Sequence, residues 1–143
     1  MRAIAENRRA RYDYEITETF EAGIELKGFE VKSLMTRGAS LGGAYAAVRG
    51  GEVWLLNVEI PPYQPKNTPK DYDPMRTRRL LIKQDEIKRL VGRTSEKGLT
   101  LLPIKMYKKG SNIKVLLGLG RAKSKKDKRE KLKRREAERE MRG

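Results

Sequence analysis

Tyr12, Tyr14, Ile16 and Phe20 share one parity, with polar residues between them. That alternation predicts a β-strand with one buried face. In residues 29–34, Val31 and Leu34 stand three apart and predict a short helix, before Gly38 and the Gly42-Gly43 pair break the pattern. Residues 44–49 and 52–60 read as two strands joined by Gly50-Gly51, a two-residue loop suited to the positive φ of a hairpin turn. Five of the six prolines fall in residues 61–74, so this segment is neither helix nor central strand and must be a long surface loop. A short apolar run at 78–82 precedes residues 84–91, where Ile87, Leu90 and Val91 lie on one helical face and Gly92 supplies a stop. Residues 99–107 and 112–119 predict a second hairpin around residues 108–111, and Pro103 inside its first strand marks an edge or a bulge. At least five strands and two helices in about 120 residues give a mainly β chain with flanking helices, an α+β domain. A small, partly open antiparallel β-barrel of the oligonucleotide-binding type fits that pattern best.

The apolar pattern stops near Gly120. Residues 121–143 hold twelve Lys or Arg against five Asp or Glu, with only Ala122, Leu132, Ala137 and Met141 as apolar side chains. The division expected is therefore a folded domain, 1–120, and a basic C-terminal tail, 121–143. Ser124-Lys125-Lys126-Asp127 fits a helix-capping box, and Asp127/Lys131, Glu130/Arg134 and Glu138/Arg142 are acid-before-base pairs four apart. Each pair adds only about 0.2–0.5 kcal/mol, so the tail is expected to be disordered alone and to become helical on a polyanion.

The formal net charge of +15, to which the first 120 residues contribute 22 basic and 14 acidic groups, points to a phosphate backbone as partner. The tail has no continuous apolar stripe to enter a membrane surface. There is no Cys and no His, which removes disulfides, Cys/His zinc sites and imidazole or thiol catalysis. Residues 1–11 contain no apolar signal core and nowhere do 18 uncharged apolar residues run together, so a cytoplasmic monomer without a cofactor or metal is expected.

Arg8, Arg9 and Arg11 offer guanidinium forks for phosphate beside Tyr12 and Tyr14, whose rings suit unpaired bases, although Tyr14 also fits the buried parity of its strand. Arg76, Arg78 and Arg79 form a second basic group next to the proline-rich loop. Asp13, Glu15, Glu18 and Glu21 lie close in sequence, but strand alternation puts Glu18 on the opposite face from Asp13 and Glu15, against a shared metal site. Gly38, Gly42 and Gly43 fit no phosphate-loop spacing.

The ordered segments Asn7-Arg-Arg-Ala-Arg11, Thr19-Phe-Glu-Ala-Gly23, Glu30-Val-Lys-Ser-Leu34, Asp73-Pro-Met-Arg-Thr-Arg-Arg-Leu-Leu-Ile82, Glu96-Lys-Gly-Leu-Thr-Leu101 and Asp127-Lys-Arg129 closely resemble the SmpB family, the SsrA-binding proteins of bacteria. The resemblance implies a non-enzymatic adaptor of trans-translation. Its body would hold the tRNA-like domain of transfer-messenger RNA (tmRNA) and help place it in the decoding region of a stalled ribosome, on small-subunit rRNA. The tail would become helical in the empty mRNA channel, where the protein stands in for an anticodon arm. Elongation factor Tu and alanyl-tRNA synthetase would be met only indirectly, through tmRNA.

By motif, the resemblance makes Asn7, Glu21 and Leu81 RNA-face positions and Lys114 a basic contact on the last strand. Arg8, Arg9, Arg11, Tyr14, Lys32, Arg76 and Arg78 complete the expected RNA-binding set. Glu21 reads equally as a local salt-bridge partner, and Leu81 as core. Lys123, Lys125, Lys126, Asp127, Lys128 and Arg129 would form the ribosome-binding tail segment. Two positions depart from the family pattern. Lys126 has no ring where many members carry a stacking His, and Met35 follows Glu30-Val-Lys-Ser-Leu34 where Arg is common, with Arg37 two residues on. The alternative from another class is a structural ribosomal-type RNA-binding protein; an RNA-processing nuclease is a third.

Overall fold

Alternating side chains from Tyr14 onward build long strands that join edge to edge until the sheet meets itself. A computed structural model describes residues 2–96 and 98–124. The elements in chain order are β1 (Arg2–Glu6), α1 (Ala10–Asp13), β2 (Tyr14–Ile24), α2 (Gly28–Arg37), β3 (Tyr45–Arg49), β4 (Glu52–Leu56), β5 (Arg78–Leu81), α3 (Gln84–Thr94), β6 (Leu99–Lys109) and β7 (Asn112–Ala122). All pairings are antiparallel. The strands follow the order β1-β6-β3-β4-β5-β2-β7, and β7 returns to pair with β6. Six strands thus form a ring, and β1 adds to the free part of the β6 edge. The ring is thinnest where Ala46 alone pairs with Leu101, and where β2 meets β5 at Gly23–Leu81 and Ile24–Leu80. Those junctions are the sense in which this oligonucleotide-binding type of barrel is partly open.

The core fills the ring with Phe20, Ala22, Val53, Leu55, Leu80, Leu101, Met106, Val115, Leu117 and Leu119, and α3 adds Ile87 and Leu90. A second, smaller cluster lies under α1, where Ala10, Leu102 and Ile104 are buried and Tyr14, Ile16 and Leu116 pack against them. Both hairpins form as expected. Gly50 and Gly51 take φ of 60° and 75° between the paired Arg49 and Glu52. The second turn narrows to Gly110-Ser111, and the register of β6 against β7 shifts between Pro103 and Lys105, so Pro103 does mark a bulge.

Several elements differ from the sequence pattern. β1 was not anticipated, because Arg-Ala-Ile-Ala-Glu is short and alanine-rich, and its partner lies about a hundred residues away on β6. The strand expected over 52–60 ends at Leu56, where Asn57 turns the chain at a φ of 64°. The last helix runs through Gly92 to Thr94, and Val91 is exposed rather than on its buried face. In α2, Leu34 is buried but Val31 is exposed, and the face turned inward carries Glu30 and Ser33. β7 ends at Ala122, two residues past the expected division at 120. The expectations for Lys125, Lys126, Asp127, Lys128 and Arg129 lie outside the described residues.

Two glycines let β7 lie close to its neighbours. A Cβ at Gly118 would stand 2.7 Å from Ile104 Cδ1, and one at Gly120 would collide with the Glu15 carbonyl oxygen. Ile104 can swing aside, whereas backbone cannot. Gly120→Ala is therefore expected to destabilise the domain by about 1–3 kcal/mol, more than Gly118→Ala, as read from urea unfolding midpoints; equal midpoints would contradict the packing described.

Candidate nucleic-acid interface

Residues opposite one another in a ladder share a face. Leu81 on β5 pairs with Gly23 on β2, Gly23 with Lys114 on β7, Lys114 with Tyr107 on β6, and Tyr107 with Ala3 on β1. Leu81 is 46% exposed, so this row lies on the outside of the ring. Gly23 leaves a flat shelf in the middle of it, where an added Cβ would sit 3.3 Å from the Leu81 Cβ. The adjoining outer row joins Glu21 to Leu116 and Leu116 to Lys105. Three positions separated by sixty and thirty residues, Glu21, Leu81 and Lys114, thereby come onto one surface.

Glu21 is a salt-bridge partner as well as a surface carboxylate. The Tyr107 hydroxyl donates to Oε2, and Lys109 Nζ reaches Oε1 at 3.1 Å. The bonds from Tyr107 and then Lys109 hold the Glu21 carboxyl below its ordinary range. Burial first, and then the bond to Glu21, push the Tyr107 hydroxyl up to about 12. At neutral pH the pair is a phenol donating to a carboxylate, an acceptor fixed in place beside Lys109 and Lys114. Tyr107, Lys105 and Lys109 were not singled out from the sequence, yet their spacing of two along a strand is the signal that places all three on one face.

The same outer surface continues to α1. Arg8 and Arg11, both exposed, line a cavity of about 400 Å³ together with Asn7, Ile104, Lys105 and Leu116. Asn7 anchors this corner, for its Nδ2 donates to the Pro103 carbonyl at 3.2 Å and the Leu41 carbonyl at 3.4 Å. Arg9 points elsewhere, pairing with Asp13 at 3.2 Å and lying 4.7 Å from the centre of the Tyr12 ring. Tyr14 is half-buried against the small cluster under α1. The result is a band of cations with the ordered Glu21 and the exposed Glu6, running from α1 across β6, β7 and β2 to the exposed Leu81.

Arg76, Arg78 and Lys32 do not join it. Arg78 was expected as a surface donor, but it is 1% exposed, and all its N–H groups are committed. Nε donates to Glu30 Oε2 at 2.8 Å, Nη1 to the Val58 and Arg76 carbonyls at 2.7 and 3.1 Å, and Nη2 to Tyr72 Oη and the Pro74 carbonyl at 3.0 Å each. Strand alternation turns Arg78 inward with Leu80, and the inward face of α2 supplies the carboxylate that neutralises it. Arg76 also grips Glu30, through Nη2 to Oε1 and Nε to Oε2 at 3.1 Å. Lys32 is exposed beside Tyr63, Gln64 and Asn67 of the proline-rich segment. Lys123, expected in the ribosome-binding tail segment, lies against α1, its amide donating to the Asp13 carbonyl at 2.8 Å and its Nζ to the Arg11 carbonyl at 2.9 Å. Asp13, Glu18 and Glu21 turn to separate cations, Arg9, Arg89 with Arg93, and Lys109. No metal-holding cluster forms among the described residues.

The family model of SmpB protein matches residues 4–143. The chain belongs to the SmpB family. An SsrA-binding protein of Synechocystis sp. is 52% identical over 141 residues, covering 99% of this chain and 92% of that protein. Another SmpB-family relative, the SsrA-binding protein of Thermosynechococcus vestitus, is 47% identical over 141 residues, covering 99% and 93%. A solved chain described as "tmRNA-SmpB: a journey to the center of the bacterial ribosome" shares 50% identity at a TM-score of 0.68 and covers 84% of each chain. The SmpB fold therefore extends to this ring of strands with its three helices. No described helix is long and apolar enough to cross a membrane.

Proposed function

We propose that this SmpB-family chain binds the tRNA-like domain of tmRNA and delivers it to stalled ribosomes for trans-translation, as an adaptor with no catalysis of its own. The observation that carries the reading is the outer band, which joins Leu81, Lys114 and Glu21 to Arg8 and Arg11 on one side of the ring. Structured RNA needs such a mixture. Lys and Arg take phosphates, an ordered carboxylate accepts from base or ribose donors, and a bare apolar side chain meets an exposed base. The relatives' name of SsrA-binding protein and the solved chain described with tmRNA and the ribosome support the same RNA and the same destination.

The tail then enters the decoding region and the empty mRNA channel, with Lys125, Lys126, Lys128 and Arg129 on small-subunit rRNA. Elongation factor Tu and alanyl-tRNA synthetase are met through tmRNA. The protein works as a cytoplasmic monomer, and residues 1–120 with the end of β7 are its RNA-binding domain.

Leu81→Ala tests the band. It is expected to weaken capture of the tRNA-like domain about tenfold, the equivalent of some 1.4 kcal/mol, with an unchanged melting temperature because the side chain is exposed. Val91→Ala, equally exposed on α3, is expected to leave affinity unchanged. Equal affinities for the two variants in a filter-binding titration would sink the assignment of this surface.

A further inference from the structure

Beyond α1 from the cationic band lies a second groove, of about 510 Å³, that the band does not use. Its floor is apolar and closed, made by Ala10, Ala44 and Leu102 at 2%, 6% and 3% exposure. Tyr14 and Tyr45 stand in its walls, and Tyr45 remains 38% exposed on the first residue of β3. Arg9 lies at the rim, with its side chain 70% exposed, in a surface pair with Asp13 and over the Tyr12 ring. Such exposed pairs are worth little and yield readily to a phosphate. The remaining walls are Asp13, Thr100 and the backbone of Gly42-Gly43, and Asn7 donates through its side chain to the Leu41 carbonyl next to the glycine pair.

We propose that this groove seats a single unstacked nucleobase of structured RNA, with its phosphate on Arg9. The inference rests on the RNA-binding reading and deepens it by naming a subsite and the chemistry that fills it. The volume falls within the range of small-molecule sites, about 300–1,000 Å³. An apolar floor flanked by tyrosines takes the flat face of any base, which is how proteins hold bases splayed out of a helix. Other ligand classes fit less well. The rim holds Arg9 paired with Asp13, and the chain's net charge of +15 supplies the attraction for an anionic ligand that takes Arg9 from that pair, while a bare phosphate would leave the tyrosine-lined apolar floor unused. The base has two sources, the tRNA-like domain or the rRNA of the decoding region, and the chemistry is the same for both.

Gly42 provides an unusually clean block. Its φ is not in the left-handed region, and a Cβ there meets only Ser40 Oγ, at an ordinary 3.8 Å. Gly42→Phe should therefore fold normally, with an unshifted melting temperature, while its ring occupies the groove. Tyr45→Ala removes one wall and Tyr45→Phe keeps it.

The test irradiates the full-length chain at short wavelength with the tRNA-like domain of tmRNA in one arm and with small ribosomal subunits in the other, then maps nucleotide adducts by mass spectrometry. In at least one arm an adduct is expected on Tyr14 or Tyr45. For that RNA, Gly42→Phe and Tyr45→Ala are expected to weaken binding about tenfold, while Tyr45→Phe stays close to wild type. The arm that responds identifies the source of the base. Wild-type capture of both RNAs with no adduct at either tyrosine, and with Gly42→Phe binding both as tightly, overturns the subsite and leaves the proposed function standing. Failure of the unmodified chain to capture either RNA overturns both.

Discussion

Glu30→Gln is expected to destabilise the domain by about 3–5 kcal/mol at neutral pH, the cost of leaving a buried charge without its partner. Glu30 is fully buried, and it accepts from Arg76, Arg78 and the Lys27 amide, with Tyr72 Oη 2.9 Å from its Oε2. Glutamine keeps the volume and loses the charge, so the buried Arg78 guanidinium remains with only neutral acceptors. The consequence spreads beyond one pair, because this knot ties α2 to the proline-rich segment and to β5. Tyr72 reaches across to it, and its ring lies edge-on to Phe29 with centroids 4.7 Å apart. Leu81, three residues along β5, depends on that strand staying in register.

The pH dependence has a definite sign. Burial alone would raise the Glu30 carboxyl, but the bonds from Arg76, the Lys27 amide, Arg78 and Tyr72 outweigh it and hold it at about 2, against an ordinary 4.5. A carboxyl lowered in the folded state contributes stability that is fully present above its unfolded value and is lost as pH falls toward the folded one. The wild-type advantage over Glu30→Gln should therefore be constant above about pH 5 and shrink between about pH 4.5 and 2, by on the order of 3 kcal/mol. Urea unfolding of both proteins across that range measures it. A difference that does not change between pH 6 and pH 2.5 would mean the carboxylate is not the charge that counts.

Ending the chain at Ser124 is expected to reduce ribosome rescue to background while tmRNA capture stays within about tenfold of the full chain, the residual loss being non-specific attraction to phosphate. The site of the cut matters. Composition alone puts the boundary at Gly120, but Ala122 still pairs with Tyr14, and Lys123 bonds the Asp13 and Arg11 carbonyls. A truncation before Arg121 would strip those bonds from α1, next to Arg8 and Arg11, and confuse loss of the tail with damage to the RNA-binding surface. Capture by filter binding and rescue by tagging of a stalled nascent chain separate the two roles. Rescue that survives removal of residues 125–143 would place the ribosome-directed work in the body instead.

Period-two alternation from Tyr12 to Phe20 and the Gly50-Gly51 turn announced their elements because both signals are local, although Tyr12 belongs to α1, and Tyr14 and Ile16 pack in a different cluster from Phe20. Pro103 marked its bulge for the same reason. β1 was illegible, since five residues containing two alanines become a strand only through β6, far along the chain. The inward turn of Glu30 was equally hidden, for periodicity favours Val31 as the buried residue of α2, and only the arrival of Arg78 from β5 makes burying a carboxylate favourable. Family motifs brought Glu21, Leu81 and Lys114 to attention, and the register through Gly23 puts them on one surface. The basic cluster beside the proline-rich segment suggested a surface role for Arg78, and strand alternation turns it inward instead. Tyr45 had no sequence signal of its own, because an aromatic residue in a strand reads first as core.

Capture of tmRNA in preference to ordinary tRNA is the central claim, and a gel-shift titration measures it directly. Full-length protein is titrated against labelled tRNA-like domain at physiological salt, with ordinary tRNA in excess. The account predicts a tight complex that survives the competitor and weakens with Leu81→Ala. Loss of the complex to ordinary tRNA would contradict it and leave a general RNA-binding protein of the ribosomal type.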